Sequence, residues 1–395
     1  MTRDLDLVVF GATGFTGKLV ADYIARSGDR PRWAIAGRNK DKLEALGLGV
    51  PILVADAQDR TALDAITTRT KVVCTTVGPY AKYGNELVAA CTEAGTHYCD
   101  LAGEVQWMRR MIDTHDARAR ETGARIVHTC GFDSIPSDMG TWALQQEMIK
   151  TFGKPATKIT ALFGESSGAV SGGTVASGME TAREGGVDRE VRRVLGNPYA
   201  LDPDPHADLP PAPDESSIGW ESHLKMFTVP FLMAGINTRV VRRAHALAGF
   251  PWGKGFVYRE VMSAPGSVRG LVRAVAITGA LGGLAFAMKR PKLRAQLAKR
   301  APKPGEGPSP ERRARGHWKV RLVGELEDRH LVYIAADEHG DPGYASTAKM
   351  LGESALCLAR DPLTSPGGVT TPSVAMGQAL LDRLRRAGLT FSVAG

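Results

Sequence analysis

The stretch from Leu7 to Val20 constrains this chain more than any other. It reads LVVFGATGFTGKLV, an apolar β-branched run, then glycines at 11, 14 and 17, then a helical pattern. In that setting each glycine has a separate physical task. Gly11 permits a tight turn after the strand, Gly14 lets a ligand approach the backbone, and Gly17 lets the helix close on the sheet. An anion then rests on unpaired amides at the positive end of the helix, with Thr13, Phe15 and Thr16 around it. The alternative is a Gly-rich turn with no ligand, but strand, turn and helix in this order point to a dinucleotide pyrophosphate.

The text around this turn supports a doubly wound parallel sheet. Strands are expected at Leu5–Phe10, Arg32–Ala36, Pro51–Ala55, Val72–Thr76, His97–Asp100 and Arg125–His128. Helices are expected near Lys18–Arg26, Lys40–Leu46, Arg60–Thr67, Glu86–Ala94 and Val105–Glu121. Short connections with right-handed crossovers give a Rossmann domain over residues 1–135. Beyond Pro136 the rhythm changes. Residues 158–180 read as a strand followed by a Gly/Ser turn that feeds a helix, 196–220 as a Pro/Asp-rich loop, 301–310 as a Pro/Gly linker and 318–336 as a strand pair. We therefore expect a second, α+β domain over 136–345 and a C-terminal helical segment, 346–395, with FSV as an edge strand.

Where an enzyme specific for the non-phosphorylated cofactor would place an acidic residue after the second strand, this chain has AGRNKDK. A guanidinium at Arg38 suits a 2′-phosphate, so the expected cofactor is NADPH; the alternative is that Arg38 caps a surface turn. Asp56 either accepts from the adenine amino group or caps the next helix. Thr76, Gly78, Pro79 and Tyr80 lie at the carboxyl end of the fourth strand, where open α/β sheets bind ligands, unless they form only a β-to-α turn.

Two further strand ends, HYCDLAGE and HTCGFDSIPSD, are more polar than turns require. They bring Asp100, Glu104, Asp133, Ser134 and Asp138 to the side where nicotinamide and substrate meet. Helix capping is the alternative for these residues. None of the eight tyrosines has a lysine four residues on, so the Tyr-x-x-x-Lys route to carbonyl reduction is absent. The candidates for proton transfer are Tyr80 and Asp133, with Tyr83, Tyr98 or water as alternatives. The nine histidines lack metal-ligand spacing, and no metal is expected. A nucleophile elbow and a phosphate-binding lysine loop are both missing, which removes hydrolase and kinase readings.

Composition narrows the setting. Five cysteines, odd in number and without a CxxC pair, read as reduced core thiols of a cytosolic protein. The start MTRDLDLVVF is not a secretion signal. A net charge of +8 favours anionic partners, but 6% aromatic residues and no recognition motif argue against nucleic acid. Residues 271–294 stand apart: AVAITGALGGLAFAM is uncharged, and KRPKLRAQLAKR is strongly basic. Three readings stay open: a segment lying peripherally at the inner face of a membrane, the lining of an acyl-chain groove, or a buried helix with a basic continuation.

VVFGATGFTGKLV, AGRNKDKL, VGPYAKYGNELVAAC, CDLAGE and CGFDSIPSDMG together resemble the saccharopine dehydrogenase-like oxidoreductases, and more closely their trans-acting enoyl reductase branch. TRVVRRAHAL, GYASTAKM and the C-terminal SPGGVTTPSVAMGQALLDRLRRAGLTFSV continue the likeness. The resemblance implies an N-terminal Rossmann domain, a second α+β domain and a C-terminal helix returning to the first. It also implies NADPH-linked reduction of an acyl or polyketide-derived lipid intermediate, with delivery on a carrier protein as one route. A non-catalytic nucleotide-binding lipid- or membrane-associated protein and an amino-acid dehydrogenase of the saccharopine type remain as alternatives, and the oligomeric state is left open.

Overall fold

The computed structural model describes residues 3–167, 172–300 and 307–395. Ser171 of the expected Gly/Ser turn and residues 301–306 of the expected linker lie outside them. Six strands form the first sheet in its N-terminal part: β1 (Leu5–Phe10), β2 (Trp33–Gly37), β3 (Ile52–Val54), β4 (Thr70–Thr75), β5 (His97–Cys99) and β6 (Arg125–Val127). Their order is β3-β2-β1-β4-β5-β6 and every pairing is parallel. Strand order reverses between β1 and β4, so a crevice opens there at the carboxyl ends of the strands. β1 and β2 are buried throughout, as apolar strands covered by helices on both faces should be.

The Ile135–Phe152 helix leads away from β6 into a second sheet. This sheet contains β7 (Lys158–Ser167), β8 (Gly219–Glu221), β9 (Met226–Val229), β10 (Val257–Pro265), β11 (His317–Leu326) and β12 (Arg329–Asp337). The 318–336 hairpin was legible in the sequence, whereas β8, β9 and β10 were not. The chain then returns. β13 (Gly368–Thr370) adds a seventh parallel strand beside β6, and β14 (Thr390–Val393) pairs antiparallel with β12 at the far edge of the second sheet. The C-terminal segment is thus shared between both sheets: FSV lies in the edge strand β14, as expected, whereas β13 was not expected from the sequence. Three residues of GVT are too few to show alternation.

Several buried charges hold this arrangement. Arg239 and Arg242, on the Ala234–Leu247 helix, pin the Pro/Asp-rich loop through Asp214 at 2.9 Å and the Pro198 carbonyl at 3.0 Å. Arg243 bonds the carbonyls of Leu201 and Val369, joining that loop to β13. Arg383, buried on the Pro372–Arg386 helix, meets Asp29 at 2.9 Å, Glu353 at 3.2 Å and Asp361 at 2.6 Å. It ties the return to the end of the first α/β unit. The five cysteines are free and buried.

The Val268–Lys289 helix departs from the buried-helix reading. Within it only Gly270 and Ala274 are buried, and Val268, Val272, Val275 and Phe286 face outward.

Replacing Arg383 with Ala leaves three carboxylates facing one another without their cation. Loss of one member of such a buried cluster costs about 3–5 kcal/mol. Urea unfolding should therefore show a clearly lowered midpoint, and an unchanged midpoint would remove Arg383 from the set of residues that hold the return in place.

Candidate functional site

The turn after β1 is closed by contacts between backbone groups. Gly11 has φ +87°, and a Cβ there would lie 2.5 Å from Val77 Cγ2. A Cβ on Gly17 would lie 2.1 Å from the Gly11 carbonyl oxygen and 2.8 Å from Thr76 Oγ1, so the helix can sit this low only with glycine. Gly14 differs: it is exposed, has φ −71°, and a Cβ would find only the Gly11 oxygen, at 3.3 Å. The Phe15–Arg26 helix starts at Gly14 with no side-chain cap and no acidic residue in its first turn. Its leading amides therefore face an open, uncapped space, which is what a pyrophosphate requires.

The other residues expected at the nucleotide site follow the carboxyl ends of β1, β2, β3 and β4. Thr13 and Thr16 are partly buried beside the turn. The Thr76 hydroxyl donates to the Gly11 carbonyl at 3.4 Å and so joins the ends of β1 and β4. Gly78 and Pro79 follow at the rim. Arg38 is exposed and free of ion pairs among the described residues, and Asn39 caps the following helix by accepting from the Lys42 amide at 2.9 Å. The capping alternative for Asp56 is also removed. Asp59 caps the Arg60–Thr67 helix, while Asp56 accepts the Gln58 amide at 3.0 Å in a local turn. Phe15 turns its ring toward the second domain, edge-on to Tyr344 at 4.8 Å and 5.3 Å from the Arg313 guanidinium. Its backbone amide, not its ring, faces the anion space.

The strand-end acids have different fates. Tyr80 is buried and stacked on Trp107; its hydroxyl donates to the Thr75 carbonyl at 3.3 Å and accepts from the Leu101 amide at 3.1 Å. Burial holds its pKa well above that of a free phenol. The expectation that Tyr80 donates a proton is corrected: both sides of its hydroxyl are engaged in holding the β4 and β5 ends together. Asp100 accepts from Tyr98, Ala102 and Thr129 and sits 2.7 Å from His128. Glu104 accepts the amides of Tyr80 and Ala81 and the Ser177 hydroxyl, each at 2.8 Å. Asp138 receives both the amide and the hydroxyl of Ser373, at 2.7 and 2.6 Å, and so caps the C-terminal helix from a distance. For these three, capping and turn closure account for the positions of the carboxylates.

Asp133 is the exception. It is partly buried just beyond β6 and has no hydrogen-bond or ion-pair partner among the described residues. Burial pushes its carboxyl up to about 6. Next to it, Ser134 Oγ donates to Asn237 at 2.9 Å, Asn237 donates to Glu260 at 3.0 Å, and Tyr258 donates to Glu260 at 2.7 Å. Burial pushes Glu260 up to about 7. Asn237, Tyr258 and Glu260 were missed in the sequence because they come from the weakly patterned middle of the chain, where no motif marks them.

Comparison with known proteins agrees with this geometry. Residues 7–127 match the family model described as the saccharopine dehydrogenase NADP binding domain. A provisionally named trans-acting enoyl reductase of Mycobacterium tuberculosis is 42% identical over 411 residues, covering 98% of this chain and 97% of its own length. The trans-acting enoyl reductase of Mycobacterium ulcerans is 40% identical over 410 residues, covering 99% of this chain and 98% of its own. This chain belongs to the trans-acting enoyl reductase family, within the saccharopine dehydrogenase-like oxidoreductases. Its first domain is an NADP-binding domain, and the chain is an NADP-dependent oxidoreductase. In fold it is similar to saccharopine dehydrogenase of Saccharomyces cerevisiae, with a TM-score of 0.53 at 13% identity, covering 98% of this chain and 99% of that one.

Gly14→Val should abolish NADPH binding while leaving the circular dichroism spectrum unchanged, because the side chain fills the ligand's space and little else. Gly17→Val should instead lower thermal stability, since it collides with the Gly11 backbone. Normal NADPH binding by a folded Gly14→Val protein would place the cofactor elsewhere.

Proposed function

We propose that this chain is an NADPH-dependent enoyl reductase that saturates a carbon–carbon double bond in a long acyl or polyketide-type thioester. The observation that carries this reading is the full-length similarity, at about 40% identity, to proteins named trans-acting enoyl reductase. The saccharopine dehydrogenase likeness, at 13% identity, supports the fold alone.

In this reading the amides of residues 15–17 receive the pyrophosphate over Gly14, and Arg38 forms charge-assisted hydrogen bonds with the 2′-phosphate. Asp56 accepts from the adenine amino group, while Thr76, Gly78 and Pro79 border the ribose and nicotinamide. Bound NADPH supplies a hydride. That hydride would go to the β-carbon of the substrate, leaving the double-bond electrons to the α-carbon and the thioester oxygen. Asp133 then gives its proton to the α-carbon and is reprotonated from solvent. It is suited to this role because, unlike Asp100, Glu104 and Asp138, its carboxyl is not already spent on holding amides. Tyr80 contributes by fixing the strand ends. The +8 charge of the chain favours delivery of the substrate by an acidic carrier protein.

Three outcomes follow. The purified protein should consume NADPH with an α,β-unsaturated acyl thioester and should not reduce NADP⁺ with saccharopine; the reverse pattern would overturn the reading. Arg38→Ala should weaken NADPH binding by roughly tenfold to a hundredfold and leave NADH binding almost unchanged, as measured by fluorescence titration. The third concerns pH. A proton donor must be protonated, so turnover should decline as pH rises through about 6, where the Asp133 carboxyl loses its proton. Asp133→Asn should lower the rate by about 10²–10⁴-fold and flatten this profile, whereas Tyr80→Phe should keep it. A profile unchanged in Asp133→Asn would remove Asp133 from proton transfer.

A further inference from the structure

Five exposed large apolar side chains, Val268, Leu271, Val272, Val275 and Phe286, sit on the Val268–Lys289 helix, which the candidate site does not use. Val268 is 82% exposed, Val272 65%, Val275 56% and Phe286 54%. Its inner face is thin: Ala274 and Ile277 meet a small cluster around Val229 and Ala264. On the adjoining sheet edge Trp220 is 51% exposed, and it lies beside Gly266 at the start of the helix. Exposed apolar surface of this extent on a soluble domain marks an interaction site.

Charge identifies the partner. From residue 268 to residue 300 there is no Asp or Glu. Arg269, Arg273, Lys289, Arg290 and Lys292 are all exposed, and Arg290 lies 4.6 Å from the Phe286 ring, where an apolar side chain and a cation share one surface. A second copy of the chain is a poor fit to this face. A two-fold contact would set these cations against one another with no acid on the helix to offset them. Apolar residues bordered by cations match acyl chains beneath anionic headgroups.

Geometry decides how the helix would meet a bilayer. Its 22 residues extend roughly 33 Å, and by length and composition it could cross. Both ends, however, are fixed to the same domain. Gly270 is packed so tightly on β10 that a Cβ would lie 1.7 Å from the Pro265 oxygen, and beyond the far end Arg294 donates to the Ala182 carbonyl at 3.1 Å. A crossing would have to break one of these anchors.

We propose that the outer face of the Val268–Lys289 helix docks this protein on an anionic lipid bilayer, lying in the interface without spanning it. The experiment is flotation of the full chain with phosphatidylcholine vesicles, with and without phosphatidylglycerol. Binding should require the anionic lipid and weaken as salt is raised. Lys289→Gln, Arg290→Gln and Lys292→Gln together should reduce partitioning about a hundredfold, at roughly fivefold per cation. Val275→Glu with Phe286→Glu should abolish it. Both variants change exposed residues, and unaltered melting curves would confirm that they fold. Two results would overturn the proposal. One is absence of binding to anionic vesicles; the other is a concentration-dependent rise in mass by light scattering that the Val275→Glu, Phe286→Glu variant removes.

Discussion

The close approach of Gly17 to the Gly11 carbonyl is the contact on which the rest of the first domain depends. It lets the Phe15–Arg26 helix drop onto the sheet at the point where strand order reverses. That position aims the uncapped helix start at the crevice and leaves Gly14 as its open floor. The Thr76 hydroxyl joins the same carbonyl from β4, so the two strand ends that flank the crevice form one unit. Any side chain at residue 17 would lift the helix and lose the alignment of amides that an anion needs.

A second constraint is the way the chain returns. β13 and β14 come from one short C-terminal stretch yet complete different sheets. Asp138 caps the returning helix through Ser373, and Arg383 gathers Asp29, Glu353 and Asp361. Phe15, Tyr344 and Arg313 form a further link directly beside the nucleotide turn. These contacts fix the second domain with respect to the crevice, and the Ser134–Asn237–Glu260 chain extends that coupling to the residues around Asp133. The crevice and the surroundings of Asp133 are thereby built from segments far apart in sequence.

Much of the first domain was legible because local rules and tertiary packing agree there. Leu5–Phe10 and Arg60–Thr67 were expected with the bounds that the structure shows. Element type was harder to read where packing dominates. β13 is three residues long, and β10 mixes Arg259 and Glu260 into one strand whose buried acid is met by Tyr258 on the same strand and by Asn237 on the Ala234–Leu247 helix. The site divides in the same way. Backbone-defined positions such as Gly11, Gly14 and Gly17 announce themselves, since glycine spacing records geometry directly. The strand-end acids looked alike in sequence, and only their partners distinguish Asp133 from Asp100, Glu104 and Asp138. Tyr80 shows the limit of residue type as a guide, because burial and two hydrogen bonds turn a candidate acid into a brace.

In the proposed reaction, reduced nicotinamide would deliver hydride to the β-carbon of an unsaturated thioester at this crevice. Isotope transfer tests it directly: the enzyme is given NADPH deuterated at the transferable position together with an α,β-unsaturated acyl thioester, and the product is analysed by mass spectrometry. The product should be saturated and carry one deuterium, located at the β-carbon. A saturated product without deuterium, or deuterium at the α-carbon, would contradict it.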